Sequence, residues 1–444
     1  MKMKLLAMIG AATLATMSVS AQTPPAEKET LFTNVRVFDG KSAKLSAPTS
    51  VLVKGNVIAA IGAEAKSSTA TVVNGGGRTL MPGLIDNHVH ITMSAWTQEE
   101  ALADGVTPAD LEIKAAKESE AMLMRGFTAV RDLGGPVFAL KAGIDAGKYK
   151  GPRIWPSGPM ISQTSGHGDS RLPSERSRVF FGERGRAENL GVSYVADGRP
   201  EVLAATREAL RFGASQIKVH AGGGAATAYD PLDVSQYTFD ELKAAVEAAD
   251  DWNTYVTVHA YTVRSVRRAI DAGVKSIEHG QLLDEDTIRL MAEKGIWLSL
   301  QVLDPAPATQ TQAVKEKKQQ VVDGTDFAYR MAKKYNVKLA WGTDFLFYPP
   351  QNANQNKDML KLRKWFTAPE ILKMVTHDNA ELLALSGPRS PYKGKLGVVE
   401  TGALADLLLV NGDPTTNLDV VADPEKNMMV IMKDGKIYKN TLGK

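Results

Sequence analysis

The stretch Gly83-Leu84-Ile85-Asp86-Asn87-His88-Val89-His90 decides how the rest of the chain is read. Strand side chains alternate faces with period two, so His88 and His90 project the same way, roughly 6 to 7 Å apart along the strand. Neutral imidazole is a common ligand for zinc and its neighbours, so two converging imidazoles are half of a metal site. Alone, the pair is equally compatible with an ordinary polar strand face. Its meaning rests on whether the chain supplies further ligands.

Outward from this stretch, residues 80–388 alternate short apolar runs with helical patterns. Strands are predicted over 84–91, 128–133, 153–157, 216–220, 255–259, 276–279, 297–302 and 338–341. Helices are predicted over 108–125, 202–212, 239–250, 263–272, 285–294 and 313–335, with glycine near several of their ends. Eight such units fit a TIM-like (β/α)8 barrel, although a doubly wound open sheet gives the same local pattern. Residues 31–80 and the last sixty residues read as short strands with turns at Asp39-Gly40, Gly412-Asp413-Pro414 and Asp434-Gly435. Neither end is long enough to bury a core alone. The expected organisation is therefore a small β-sandwich domain from residues 22–80 plus 389–444, bracketing an α/β barrel over 81–388.

The first 21 residues have the three parts of a secretory signal peptide: Lys2 and Lys4, an apolar run, and a Val19-Ser20-Ala21 cleavage site. A periplasmic or secreted protein without a membrane anchor is expected. Removing Lys2 and Lys4 leaves a net charge of about +1, with no basic run or aromatic-basic interleaving, so no nucleic-acid partner is expected. The chain has no cysteine, so a metal site must use nitrogen and oxygen.

Of seven histidines, His220, His259 and His279 end predicted strands, and Asp344 follows the eighth. In a barrel the C-terminal strand ends share one mouth, so His88, His90, His259, His279 and Asp344 could reach a common point. Each alone reads as a polar strand cap; five together are a candidate site. Alternation also turns Lys218 inward, where an ammonium beside metal ions would be repelled. Carboxylation would make it an anionic ligand able to bridge two metals; the alternative is a lysine reaching solvent or pairing with a carboxylate. The loop over 160–200 lies on the strand-to-helix side. Arg171, Arg176 and Arg178 there read as solvated, His377 and the methionines at 122, 124, 291, 331 and 374 as structural, and Gly222–Gly224 as close backbone approach rather than a phosphate cradle.

Met81-Pro82-Gly83 with the opening stretch, Gly126–Asp132, Ile217–His220, Val258–Tyr261, Ile277–Gly280, Gly342–Asp344 and Gly402–Leu407 together resemble the amidohydrolase superfamily. Within it the chain resembles the imidazolonepropionase-related branch of Xaa-Pro dipeptidases and carboxypeptidase-like enzymes, and the bacterial members that split the amide of ochratoxin A. The resemblance implies a homo-oligomeric hydrolase of a small amide or dipeptide with a free carboxylate: ochratoxin A, giving ochratoxin alpha and phenylalanine, or Xaa-Pro and Xaa-aromatic dipeptides. It implies His88 and His90 on one Zn2+, His259 and His279 on the other, carboxylated Lys218 and a hydroxide bridging them, and Asp344 as ligand and proton carrier. His167, His220 and Tyr261 would hold the substrate. Thr262 stands where deaminating relatives place a glutamate, which argues for amide hydrolysis. A mononuclear cyclic-amide hydrolase or deaminase, and a non-catalytic metal- or ligand-binding barrel, are the alternatives.

Overall fold

The computed structural model describes residues 28–227 and 229–443, and the expected signal peptide lies outside them. The N-terminal strands are β1 (Glu29–Val37), β2 (Thr49–Lys54), β3 (Val57–Ile61), β4 (Thr71–Asn74) and β5 (Thr79–Pro82). The barrel region carries β6 (Leu84–Val89), β7 (Phe127–Asp132), β8 (Arg153–Pro156), β9 (Met160–Ser162), β10 (Ser193–Val195), β11 (Ile217–His220), β12 (Val256–Thr262), β13 (Ser276–Leu282), β14 (Trp297–Ser299) and β15 (Lys338–Ala340). The C-terminal segment adds β16 (Leu407–Val410), β17 (Met428–Lys433) and β18 (Lys436–Asn440).

Strands from the two ends join in one eight-stranded sheet, in the order β18-β17-β16-β5-β1-β2-β3 with β4 beside β1. β1 is shared, pairing with β2 and β4 along one half and β5 along the other, and its ladder with β2 shifts between Phe32 and Val35, so the two ends build the separate β domain expected of them. Alternation on β16 serves two cores. Leu407 and Leu409 pack with Phe32, Val51 and Leu80, whereas Leu408 and Val410 face the barrel.

The barrel is a ring of parallel strands whose residues are almost all buried, as strands covered on both faces must be. Helices at Pro108–Met124, Gly198–Arg211, Phe239–Asp250, Val263–Ala272, Glu285–Lys294 and Gln312–Lys334 cover the outside. Their ends are written locally: Thr107 and Thr238 form capping boxes, and Gly273 and Gly295 stop helices in the left-handed region. The third barrel strand is bent, because Gly158 at φ +73° separates β8 from β9, and β10 adds an unexpected edge strand from the 160–200 loop.

Ladder pairing divides the ring into β6-β7-β8 and β10-β9-β11-β12-β13-β14-β15. The seam between β15 and β6 is closed by other means. Asn87 N donates to Trp341 O (3.1 Å) and Asp344 N to His88 O (2.8 Å). Asn379, fully buried, donates from Nδ2 to Ile85 O (2.7 Å) and Trp341 O (2.9 Å) and accepts from Trp341 N (3.0 Å). The helical turn before it, Met374–Asp378, is widened into π form, a feature that commonly marks functional segments. Gly342 permits the approach: a Cβ there would fall 2.4 Å from His88 N.

Arg153 at the start of β8 reaches the terminal sheet, binding Asp406 through Nε (2.9 Å) and Nη2 (3.1 Å) and Asp434 through Nη2 (2.7 Å). Asn379→Ala, which removes three buried hydrogen bonds at the seam, is expected to lower unfolding free energy by about 3 kcal/mol in urea titration.

Candidate metal centre

β6 places His88 and His90 side by side at the mouth, ring centroids 5.3 Å apart and both buried. Their Nε2 atoms lie 3.2 and 3.3 Å from the same oxygen, Asp344 Oδ1. His90 Nδ1 is 3.3 Å from Gly134 O; a carbonyl only accepts, so the hydrogen sits on Nδ1 and Nε2 carries a lone pair. His88 Nδ1 lies 3.0 Å from Glu278 Oε2 and 3.3 Å from Gln301 Nε2, and His88 Nε2 has no hydrogen-bond partner. A lone pair on His90 Nε2 therefore points at a carboxylate oxygen in a buried site, with His88 Nε2 against the same oxygen, an arrangement that a cation among them reconciles. The 3.2 to 3.3 Å spacing is about the edge of a tetrahedron with ~2.0 Å bonds, as zinc makes to nitrogen and oxygen.

His279 completes this group. Its Nε2 is 3.9 Å from Asp344 Oδ2, and His88, His279 and Asp344 each offer a ligand atom within 4.8 Å of the others. Two of these residues hold left-handed backbone, His279 at φ +81° and Asp344 at φ +55°. For His279 that twist matters: strict alternation would turn it away from the face of Glu278, yet both consecutive side chains reach the centre.

Burial pushes the His90 imidazole down and that of His279 down to about 3, and drives those of His220 and His259 well below the usual range, so these rings are neutral bases. Burial opposes the charged form of His88 too, but Asp344 and Glu278 outweigh it and raise that group. Burial also opposes the Asp344 anion, yet His88, His90 and His279 hold it well below the usual carboxylate range. Glu278 is kept ionised against burial by fully buried Arg131, whose Nη2 donates to Oε1 at 2.7 Å, with Thr257 Oγ1 donating to the same oxygen at 2.5 Å.

His259 lies beside His279, ring centroids 4.5 Å apart. Its Nε2 donates to Gly223 O (3.0 Å), which leaves Nδ1 with the lone pair. Lys218, on the neighbouring β11, is buried, and burial lowers its amine to about 8 against the opposing charges of Glu278 and Asp344. No hydrogen bond to Lys218 Nζ forms among the described residues. A buried amine of lowered basicity is the form that adds carbon dioxide, and a carboxylate there would complete a nitrogen and oxygen donor set. His90, His259 and Lys218 thus adjoin the close group of His88, His279 and Asp344, and these six residues fit divalent ions of the zinc type.

Of the expected substrate-binding residues, His167 stacks on His259 (4.1 Å) and His220 lies edge-on to both (5.0 and 5.4 Å). Tyr261 stacks on His279 at 4.9 Å and walls the centre, its phenol raised by burial. Thr262 engages Ser265 Oγ and carries no acid into the site. Arg171 binds Asp169, Arg178 binds Glu201 and Arg176 lies over Phe181. Arg176 is exposed, as expected of the loop, while Arg171 and Arg178 are half-buried in local ion pairs. His377 pairs with Asp378, and Met122, Met291 and Met374 are core. The glycine run does serve close approach: a Cβ on Gly224 would fall 2.0 Å from the His167 ring, and one on Gly223 1.8 Å from Pro231 O. Sequence reading gave no role to Glu278, Arg131, Gln301 or Asp230. Glu278 carried a signal, since period-two alternation places it inward on β13.

Residues 79–438 match the amidohydrolase family. The ochratoxinase of Aspergillus niger is 32% identical over 416 residues, covering 90% of this chain and 84% of that protein. Among solved structures, a prolidase complexed with N-methylphosphonate-L-proline superimposes with TM-score 0.84 at 31% identity, over 93% of this chain and 100% of that one. A Xaa-Pro dipeptidase with methionine bound in its active site superimposes at 0.79 and 29%, again over 93% and 100%. The family match over most of the chain and the barrel-mouth centre agree: this chain belongs to the amidohydrolase family and is a hydrolase of amide or peptide bonds.

Proposed function

We propose that the chain hydrolyses the amide on the amino side of a residue bearing a free carboxylate, using two zinc ions held by His88, His90, His259, His279, Asp344 and carboxylated Lys218. Ochratoxin A and Xaa-Pro or Xaa-aromatic dipeptides are the candidate substrates. The observation that carries the reading is Asp344 Oδ1 facing the Nε2 atoms of His88 and His90, with Lys218 buried one strand from His259. The relatives support the substrate class: one is named for ochratoxin, and two solved neighbours hold a proline derivative and methionine.

Bound there, divalent ions supply a polarising charge for the scissile carbonyl and lower the pKa of water toward neutrality. The chain's own part is to place and move protons. Asp344, ionised and in contact with three imidazoles, takes the proton of the attacking water and passes it to the leaving nitrogen. Glu278, neutralised by Arg131, and Gln301 stand against His88 Nδ1 and orient the ring so that Nε2 faces the centre as a ligand. The ring of Tyr261 and the buried imidazoles keep bulk water from the reacting bond.

A mononuclear centre is the second reading, favoured by the tightness of the His88, His279 and Asp344 group. Lys218→Ala separates the two. The binuclear centre is expected to lose about half its zinc by elemental analysis together with most activity, whereas full activity at one zinc per chain would establish the mononuclear form. Asp344→Asn is expected to lower kcat on a good substrate by at least ~10²-fold, the scale of a lost proton carrier. A panel of N-acyl amino acids, dipeptides and ochratoxin A, assayed with zinc and bicarbonate, is expected to show turnover only of amides next to a free carboxylate; failure on all of them overturns the substrate class.

A further inference from the structure

Two buried carboxylates at the mouth have no part in the hydrolysis described above. Asp230 accepts from Gly224 N (2.6 Å) and the Thr227 hydroxyl and lies 2.9 Å from His167 Nδ1, outside the six ligands. Asp132 stands closer to them. It ends β7, wholly buried, and pairs in the ladder with Val89, the residue between His88 and His90. Its Oδ2 accepts from Ile91 N (2.8 Å) and its Oδ1 from Gly134 N (3.2 Å). Among the described residues these two backbone groups are its only hydrogen-bond donors.

The turn from an aspartate to the amide two residues on is common at strand ends. What sets this one apart is the second oxygen, which crosses to the neighbouring strand and holds the amide that directly follows His90. The first oxygen holds Gly134, whose own carbonyl lies 3.3 Å from His90 Nδ1. One carboxylate thus fixes both the backbone that carries the His90 ring and the residue that receives the ring's hydrogen. Space around the turn is filled. Leu133 N donates to Val89 O (2.9 Å), and a Cβ on Gly134 would fall 2.4 Å from Met160 Cγ and 3.1 Å from His90 Nδ1. Backbone rather than a side chain therefore meets the imidazole here.

We infer that Asp132 is a positioning residue for the metal centre: by holding Ile91 N and Gly134 N together it keeps the Gly134 carbonyl on His90 Nδ1, and so keeps His90 Nε2 the ligand atom. The inference rests on the place of His90 in the centre proposed above. The chemistry explains why the residue is an acid. Both groups facing it are N–H donors, so an acceptor is needed on each side, and a carboxylate supplies two where an amide supplies one. Asp132→Asn keeps the shape but sets an NH2 against one of the two N–H groups.

The test uses the whole chain stripped of metal, as wild type, Asp132→Asn and His90→Asn. Zinc affinity is read by competition with a chelating dye. The tautomers of the seven histidines are read by NMR of labelled ring nitrogens, the His90 signals being those absent from His90→Asn. Wild-type His90 is expected with its hydrogen on Nδ1. Asp132→Asn is expected to shift His90 toward the other tautomer and to weaken one zinc-binding step about 10- to 100-fold, the scale of a lost partner of a metal-ligating histidine. A wild-type His90 with its hydrogen on Nε2 overturns the inference without any variant having to fold. Wild-type zinc affinity in Asp132→Asn overturns it too, as does zinc loss with the His90 tautomer unchanged, which would make Asp132 a support of the fold only. Unaltered zinc affinity and stoichiometry in His90→Asn overturn the reading of His90 as a ligand, and the inference with it.

Discussion

Asn379 reaches from a helix into the gap between β6 and the end of β15 and supplies, with one amide, hydrogen bonds that two longer strands would have exchanged as a ladder. Every distance at the centre depends on that closure. β6 carries His88 and His90, and the turn after β15 carries Asp344, so the seam sets how far the carboxylate stands from the two rings. Gly342 belongs to the same device, because a side chain at that position would push the seam apart at His88. The barrel is therefore closed least regularly where the site needs a particular separation.

Around that seam the charges are arranged in opposition. Glu278 and Asp344 are carboxylates of one buried cavity, and each is held ionised by different neighbours: Glu278 by Arg131, Asp344 by imidazoles. Arg131 also donates from Nε to Asn87 O (2.7 Å) and from Nη1 to Tyr255 Oη (3.2 Å), which ties the residue preceding His88 to the start of β12. The guanidinium thus neutralises a charge through Nη2 and braces β6 through Nε. Nothing comparable neutralises Lys218, whose amine is the one buried cation here without a hydrogen bond among the described residues.

Much of this is legible in the residues. Apolar runs spaced by helical patterns place the eight barrel strands, with ends off by up to three residues, because strands buried on both faces give continuous apolar runs, and the histidines fall at or near their C-terminal ends. The parts that stay hidden depend on single dihedral angles or on long-range meetings. His279 reaches the centre beside Glu278 only through a left-handed backbone that no pattern announces. Asp230 lies in an irregular segment with no periodicity to orient it. The two ends have strand character and build the separate β domain expected of them, but the sharing of β1 between two ladders follows from where β5 leads into the barrel, which local sequence does not encode.

The terminal sheet has one more consequence. Gly83, which links β5 to β6, donates its N–H to Asp406 O (2.9 Å), and β5 lies between β1 and β16. The strand bearing the first two histidines is thereby moored to residues made more than three hundred positions later. As the chain leaves the ribosome, β5 has an open edge until β16 emerges, and such non-local pairing is slow to form. Maturation of the centre is thus tied to synthesis far downstream: the histidines come early, but the anchorage that holds them arrives only after the whole barrel has been made.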